Sequence, residues 1–148
     1  KTYQNVRNQD GEGIEVEFNW QITSDISWDS SFSYQNIEDA STGAKIADIP
    51  TKQFYTDLRV KLSENLKVTT QLNHVMARKR AAGDARDEMD DITLVNFTAI
   101  YNVNNNLNVR LSIKNLFDEH YYEGTDGRIA DDLPMEGRAI YGMLDYKF

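Results

Sequence analysis

Apolar and polar residues alternate one for one through most of this chain, and that period is served by β-strands, whose side chains point to opposite faces in turn. Over residues 14–22, Ile14, Val16, Phe18, Trp20 and Ile22 share one face, and Glu15, Glu17, Asn19 and Gln21 the other. Over residues 26–35, Ile26, Trp28, Phe32 and Tyr34 oppose Ser27, Asp29, Ser31, Ser33 and Gln35. Phe54, Leu58, Val60 and Leu62 then oppose Gln53, Asp57, Arg59 and Lys61, and Leu66, Val68 and Leu72 oppose Lys67, Gln71 and Asn73. Val95, Phe97, Ala99 and Tyr101 face away from Asn96, Thr98 and Asn102, with Ile100 breaking the pattern. Leu107, Val109, Leu111 and Ile113 face away from Asn108, Arg110, Ser112 and Lys114. The last segment puts Ile140, Leu144, Tyr146 and Phe148, with Gly142 between them, opposite Tyr141, Asp145 and Lys147. With a short strand near residues 2–7, the pattern predicts eight strands and no helix.

The connections carry a second signal. Three are tight and polar, at residues 23–25, 63–65 and 104–106; three are long, at 36–52, 78–90 and 118–137. Short and long alternate, as in an up-and-down antiparallel sheet with small turns at one end and large loops at the other. Outer-membrane barrels have that asymmetry, with short periplasmic turns and longer external loops. No apolar run approaches a membrane helix, but a spanning strand needs only about 9–11 residues, of which alternate ones meet lipid.

Periodicity leaves open which face is inside. Full charges on the polar face (Glu15, Glu17, Arg59, Lys61, Arg110, Lys114) suit a wet lumen. Aromatic residues near strand ends (Trp20, Trp28, Tyr34, Tyr101, Tyr146, Phe148) suit interfacial girdles. A strand that stops on a large aromatic, Phe148, also fits a barrel whose last strand closes the sheet. The expected fold is therefore all-β, an antiparallel up-and-down transmembrane β-barrel segment of about eight strands. A self-contained eight-stranded membrane barrel with an adhesive or structural role, and a soluble lipocalin-like binding barrel, are the alternatives. The net charge of −8 argues against a nucleic-acid partner. The absence of cysteine among the 148 residues removes disulfide and thiol chemistry. Lys1 opens the chain without Met or an apolar leader, so an export signal has been removed or an N-terminal part is missing.

Three stretches resemble TonB-dependent outer-membrane receptors. One runs from Asn5 through Gly11 and Gly13 into the alternating Glu15 and Glu17. The second is Asn115, Leu116, Phe117 and Asp118 followed by Tyr121, on what would be the penultimate strand. The third is Pro134, Gly137 and Arg138 ahead of the final strand. The resemblance implies residues 1–148 as the C-terminal portion of a larger barrel, its last third, with the plug domain and earlier strands absent. It implies an active-transport receptor for a scarce ligand such as a ferric siderophore or cobalamin, energised by the TonB complex through the plug. It further implies the outer membrane of a Gram-negative bacterium, with lipid, lipopolysaccharide and the barrel-assembly machinery as partners. Tyr146 and Phe148 would then form the assembly signal.

Chemistry is sparse. Glu15 and Glu17 read as a wetted wall rather than an acid–base pair. Asp84, Asp87, Glu88, Asp90 and Asp91 crowd one loop but lack the spacing of a calcium loop. Arg78, Arg80 and Arg86, with Tyr122, are the candidate ligand contacts, since arginines in an external loop can clamp an anion. His74 and His120 are not spaced as a metal pair, and residues 124–127 are turn chemistry. No nucleophile and base stand together, so neither catalysis nor a cofactor is expected.

Overall fold

Seven long strands grow out of the seven alternating segments: β1 (Gln9–Gln21), β2 (Ile26–Asp39), β3 (Lys52–Lys61), β4 (Leu66–Met76), β5 (Ile92–Asn102), β6 (Leu107–Lys114) and, after two short strands, β9 (Ala139–Tyr146). The short strands β7 (Tyr122–Glu123) and β8 (Leu133–Pro134) form a separate two-stranded ribbon. This computed structural model describes residues 8–47, 49–80, 83–125 and 130–148; the strand expected near residues 2–7 lies outside them. The main sheet runs β1-β2-β3-β4-β5-β6-β9, with every adjacent pair antiparallel. Among the described residues β1 and β9 each pair on one side only, so the sheet is open. No ladder among the described residues closes the sheet into a self-contained barrel.

The first two strands are longer than the alternation suggested. β1 begins at Gln9 and β2 runs to Asp39, because Asp10, Gly11, Glu12 and Gly13 continue the ladder opposite Glu38, Ile37, Asn36 and Gln35. Glycine hid this extension from a hydrophobicity pattern, and glycine makes it possible. A Cβ on Gly13 would lie 2.5 Å from the Tyr34 carbonyl oxygen.

Register unites the apolar faces of separate strands into one. Val16 pairs with Phe32, which pairs with Phe54; Ile26 pairs with Val60, which pairs with Val68; Phe97 pairs with Ile113, which pairs with Ile140. This face is not covered. Ile14, Val16, Phe18, Trp20, Leu58, Leu111 and Leu144 are all exposed, the last at 74%. Ile92 is the one buried apolar residue among those described, whereas Asp39, Asp57, Arg78 and Asn115 are buried. Burial is thus inverted relative to a water-soluble barrel, where the apolar residues would be inside.

Polar side chains that intrude on the apolar face find partners within the sheet. Trp28 Nε1 donates to Thr56 Oγ1 at 2.6 Å, Thr56 Oγ1 to the Asp29 carbonyl at 3.1 Å, and Ser30 Oγ to the Tyr55 carbonyl at 3.1 Å. His74 Nδ1 lies 2.8 Å from Thr93 Oγ1. In hydrocarbon an unpaired polar group costs several kcal/mol, so this internal pairing is what a lipid-facing surface requires. On the opposite face Asp57, 1% exposed, sits between Arg59 (Nε to Oδ1, 2.7 Å) and Gln71 (Nε2 to Oδ2, 3.1 Å). Arg59 also reaches Asp29 at 2.7 Å.

Aromatic rings gather at the turn end of the strands, as at a membrane interface. Phe18 meets Trp28 edge-on at 5.3 Å, and Tyr146 meets Phe148 edge-on at 5.1 Å.

Arginine at Leu58 is expected to destabilise the folded protein in lipid by about 2–4 kcal/mol, while arginine at Asn73 on the opposite face stays near neutral. Folding titrations of the full-length protein in lipid vesicles measure both. Equal penalties would contradict the face assignment.

Candidate functional site

The three tight turns are built alike. Ile22, Leu62 and Val103 donate to the carbonyls of Ile26, Leu66 and Leu107, each at 2.9 Å. In each turn a side-chain oxygen one residue further on accepts a backbone N–H: Thr23 Oγ1 from Asp25 at 3.2 Å, Ser63 Oγ from Leu66 at 3.1 Å, and Asn104 Oδ1 from Asn106 at 2.9 Å. Short polar residues suit this position because their side chains close a turn without help from elsewhere. The long connections, at residues 40–51, 77–91 and 115–138, all emerge at the other end. The first is shorter than the pattern suggested because β2 runs on to Asp39, and the other two are slightly longer at both ends.

Asp39 organises the first long connection. Its Oδ1 accepts the amides of Ser41 and Thr42, each at 3.0 Å, and both hydroxyls. Gly43 follows with φ +68°, a conformation that glycine adopts without strain.

The second and third long connections are joined by arginine. Arg78, buried, donates from Nη1 and Nη2 to the Tyr122 carbonyl at 2.9 Å and from Nη2 to Glu123 Oε2 at 2.8 Å. Arg80 forks onto Asp132, Nη1 to Oδ1 at 2.7 Å and Nη2 to Oδ2 at 2.6 Å. Arg86 binds Asp84 (Nη2 to Oδ2, 2.6 Å), Asp132 (Nη1 to Oδ1, 3.1 Å) and the Thr125 carbonyl (Nη2, 3.1 Å). The candidate ligand arginines therefore meet in one cluster, already engaged with chain atoms. Tyr122 joins it through its backbone oxygen, and its residue stays exposed. The Arg86 side chain holds the Asp84 carboxyl down from its ordinary 3.8 to about 2. Asp132 is likewise lowered, chiefly by Arg80. The remaining acids of the loop are distributed, Glu88 to Lys79 and Asp91 to the Ala77 amide. Asp132 and Asp39 escaped the sequence reading. Asp132 lies 52 residues from Arg80, a separation at which no local spacing can signal a pair.

The family-like residues build a second device, a clasp between β6 and β9. Asn115 takes φ +49° at the end of β6, a left-handed conformation that asparagine tolerates better than most residues. Its amide donates to Asn96 Oδ1 at 3.0 Å. Its side chain receives the Glu119 amide at 2.8 Å and donates to the Glu119 carbonyl at 2.9 Å. Leu116 continues the ladder to the Val95 carbonyl at 2.7 Å, and Phe117 projects outward, 74% exposed. Asp118, at φ +58°, accepts the Arg138 amide on Oδ1 at 2.7 Å, which lowers its pKa. Arg138 Nη1 returns to the Leu116 carbonyl at 3.4 Å. A Cβ on Gly137 would lie 2.9 Å from Asp118 Oδ1, so the missing side chain makes room for the clasp. Tyr121 accepts the Met135 amide at 3.0 Å, and Pro134 stands opposite Tyr122 in the ribbon.

Comparison with known proteins places this geometry. Residues 1–116 match the model of the TonB dependent receptor-like, beta-barrel family. The ferric yersiniabactin uptake receptor FyuA from Yersinia pestis superposes with a TM-score of 0.80 at 19% identity, over 95% of this chain and 23% of that one. The closed form of the ferric-catecholate import receptor Fiu from E. coli K12 gives 0.79 at 19% identity, over 99% and 22%. The copper transporter OprC gives 0.77 at 20% identity, over 96% and 24%. These likenesses show the fold, and this chain spans under a quarter of each of those chains. No curated protein matches it in sequence.

Two outcomes follow from the cluster and the clasp. Asn115→Ala removes both side-chain bonds to Glu119 and a longer one, 3.5 Å, to the Glu136 carbonyl, and it strains the backbone; it is expected to cost about 2–3 kcal/mol. Gly137→Ala is expected to cost about 1 kcal/mol, because only the Asp118 carboxylate must shift. Urea midpoints of the full-length protein, read by heat-modifiable gel shift, measure both. The second outcome is a pH dependence. Asp84 and Asp132 have folded pKa values below their unfolded ones. Their contribution is present above the ordinary carboxylate pKa and lost as pH falls through the folded values. Amide exchange protection in the 77–91 and 115–138 connections is therefore expected to hold from neutral pH to pH ~4 and to fall toward pH ~2. Loss of protection near neutral pH would contradict it.

Proposed function

We propose, since the chain belongs to the TonB dependent receptor-like β-barrel family, that it supplies part of the wall and three external loops of an outer-membrane receptor importing a scarce ligand such as a ferric siderophore or cobalamin. The observation that carries this reading is the uncovered apolar face of the sheet, opposite a face that carries the Arg59–Asp57–Asp29 ion pairs, with all long loops at one end. In this reading residues 1–148 are the C-terminal portion of the barrel of a Gram-negative bacterium. A plug and earlier strands complete the receptor, and the TonB complex energises it through the plug. Lipid and lipopolysaccharide contact the apolar face, and Arg78, Arg80, Arg86 and Tyr122 lie on the ligand side. Tyr146 and Phe148 serve recognition by the barrel-assembly machinery. The names of the structural relatives, a ferric yersiniabactin uptake receptor, a ferric-catecholate import receptor and a copper transporter, support transport as the class of activity.

Uptake of a panel of labelled ferric siderophores, cobalamin and copper by cells with and without the receptor tests the activity. One ligand is expected to depend on both the receptor and a functional TonB. Unchanged uptake of all of them would remove the transport reading. Topology is tested separately, with single cysteines in a cysteine-free version of the receptor and an impermeant maleimide on intact cells. Label is expected at position 84 and not at 105; the reverse would invert the sheet in the membrane.

A further inference from the structure

Between the 77–91 and 115–138 connections lies a cavity of about 240 Å³, walled in part by Arg78, Arg80, His120, Tyr121, Tyr122 and Asp132. Two guanidinium groups converge on one carboxylate at its edge. Arg80 meets both Asp132 oxygens, at 2.7 and 2.6 Å, and Arg86 comes within 3.1 Å of Oδ1. Such a fork-to-fork arrangement is how arginine takes a carboxylate or phosphate from a ligand. We propose that Arg80 and Arg86 form an anion site whose resident occupant is Asp132, and that a carboxylate or phosphate of a ligand binds there by exchanging with it.

Both arginines are held by contacts that do not involve Asp132. Arg80 Nε donates to the Asp87 carbonyl at 2.5 Å, and Arg86 is anchored by Asp84 and by the Thr125 carbonyl. When Asp132 leaves, the guanidinium pair keeps its position. That is the preorganisation a binding site needs. The mode is exchange rather than addition, because Glu88, Asp90, Asp91 and Glu119 also line the cavity. A free anion placed beside Asp132 would meet like charges in a partly enclosed space, whereas replacing one carboxylate by another leaves the local charge unchanged.

Exchange also has a mechanical consequence. The Arg80–Asp132 and Arg86–Asp132 bonds tie segments 52 and 46 residues apart. Occupancy by a ligand cuts both ties, while Arg78 continues to hold Tyr122 and Glu123 at the base. The ribbon formed by β7 and β8 is then released on one side only.

This inference rests on the loops lying outside the membrane, as proposed above, but its test does not use transport. Full-length receptor in detergent is titrated with inorganic phosphate. Asp132→Asn keeps the side chain's shape and removes its charge, and is expected to tighten phosphate binding by about tenfold or more. Adding Arg80→Gln to that variant is expected to abolish the gain. In the wild-type protein, saturating phosphate is expected to raise amide exchange in residues 130–135 and not in the 104–106 turn. Reconstitution in phosphatidylcholine vesicles with and without phosphorylated lipid A identifies the source of the anion. Raised exchange only with lipid A assigns the site to the membrane, and raised exchange with phosphate in either vesicle assigns it to a soluble ligand. Phosphate affinity unchanged by Asp132→Asn, with no wild-type exchange response, would overturn the proposal even if receptor-dependent uptake were found.

Discussion

Backbone hydrogen bonding in a solvent without water governs the rest of this structure. Hydrocarbon offers no partner for N–H or C=O, so a spanning chain must satisfy every such group itself, and antiparallel strands do so by pairing with neighbours on both sides. From that one demand follow the unbroken ladders from β1 to β9 and the internal bonding of Trp28, Thr56 and Ser30. The inverted burial has the same origin. With lipid outside, apolar side chains gain nothing by turning inward, and ion pairs such as Arg59 with Asp57 and Asp29 settle on the wetted side.

The two ends of the sheet solve the problem of chain reversal differently. At one end, Thr23, Ser63 and Asn104 each close a turn within a few residues. At the other, Asp39 organises the first connection locally, while the second and third depend on one another. Charge does the joining there: Arg78, Arg80 and Arg86 draw their partners from a segment some forty to fifty residues away. Arginine suits this task because its planar fork binds two acceptors at once and stays charged at any physiological pH. A loop end joined by ion pairs can rearrange at small cost if a competing anion arrives, which a turn closed by its own backbone cannot do.

The clasp of Asn115, Asp118, Gly137 and Arg138 stands between these regimes. It works at the loop end, yet it fixes the sheet, delivering the chain after an excursion of 24 residues back beside β6. Two left-handed residues, Asn115 and Asp118, let the backbone turn sharply there, Gly137 leaves room for the Asp118 carboxylate, and buried Asn115 satisfies donors and acceptors that the turn would strand.

The alternation by itself determined the all-β class, the seven strand cores, their two faces and the division into short turns and long loops. It could do so because strand side chains repeat with period 2, a property each segment carries alone. The motif around Asn115 and Gly137 was legible as a resemblance, though not as a clasp. The glycine-bearing extension of β1 was invisible to hydrophobicity, since Gly11 and Gly13 have no side chain to count. Only the tertiary structure decided that the sheet is open, that its apolar face is uncovered, and that Asp132 is the partner of Arg80 and Arg86. Those facts depend on which distant segments meet. Coulombic attraction and hydrogen bonding depend on distance in space, and a linear sequence does not carry that distance.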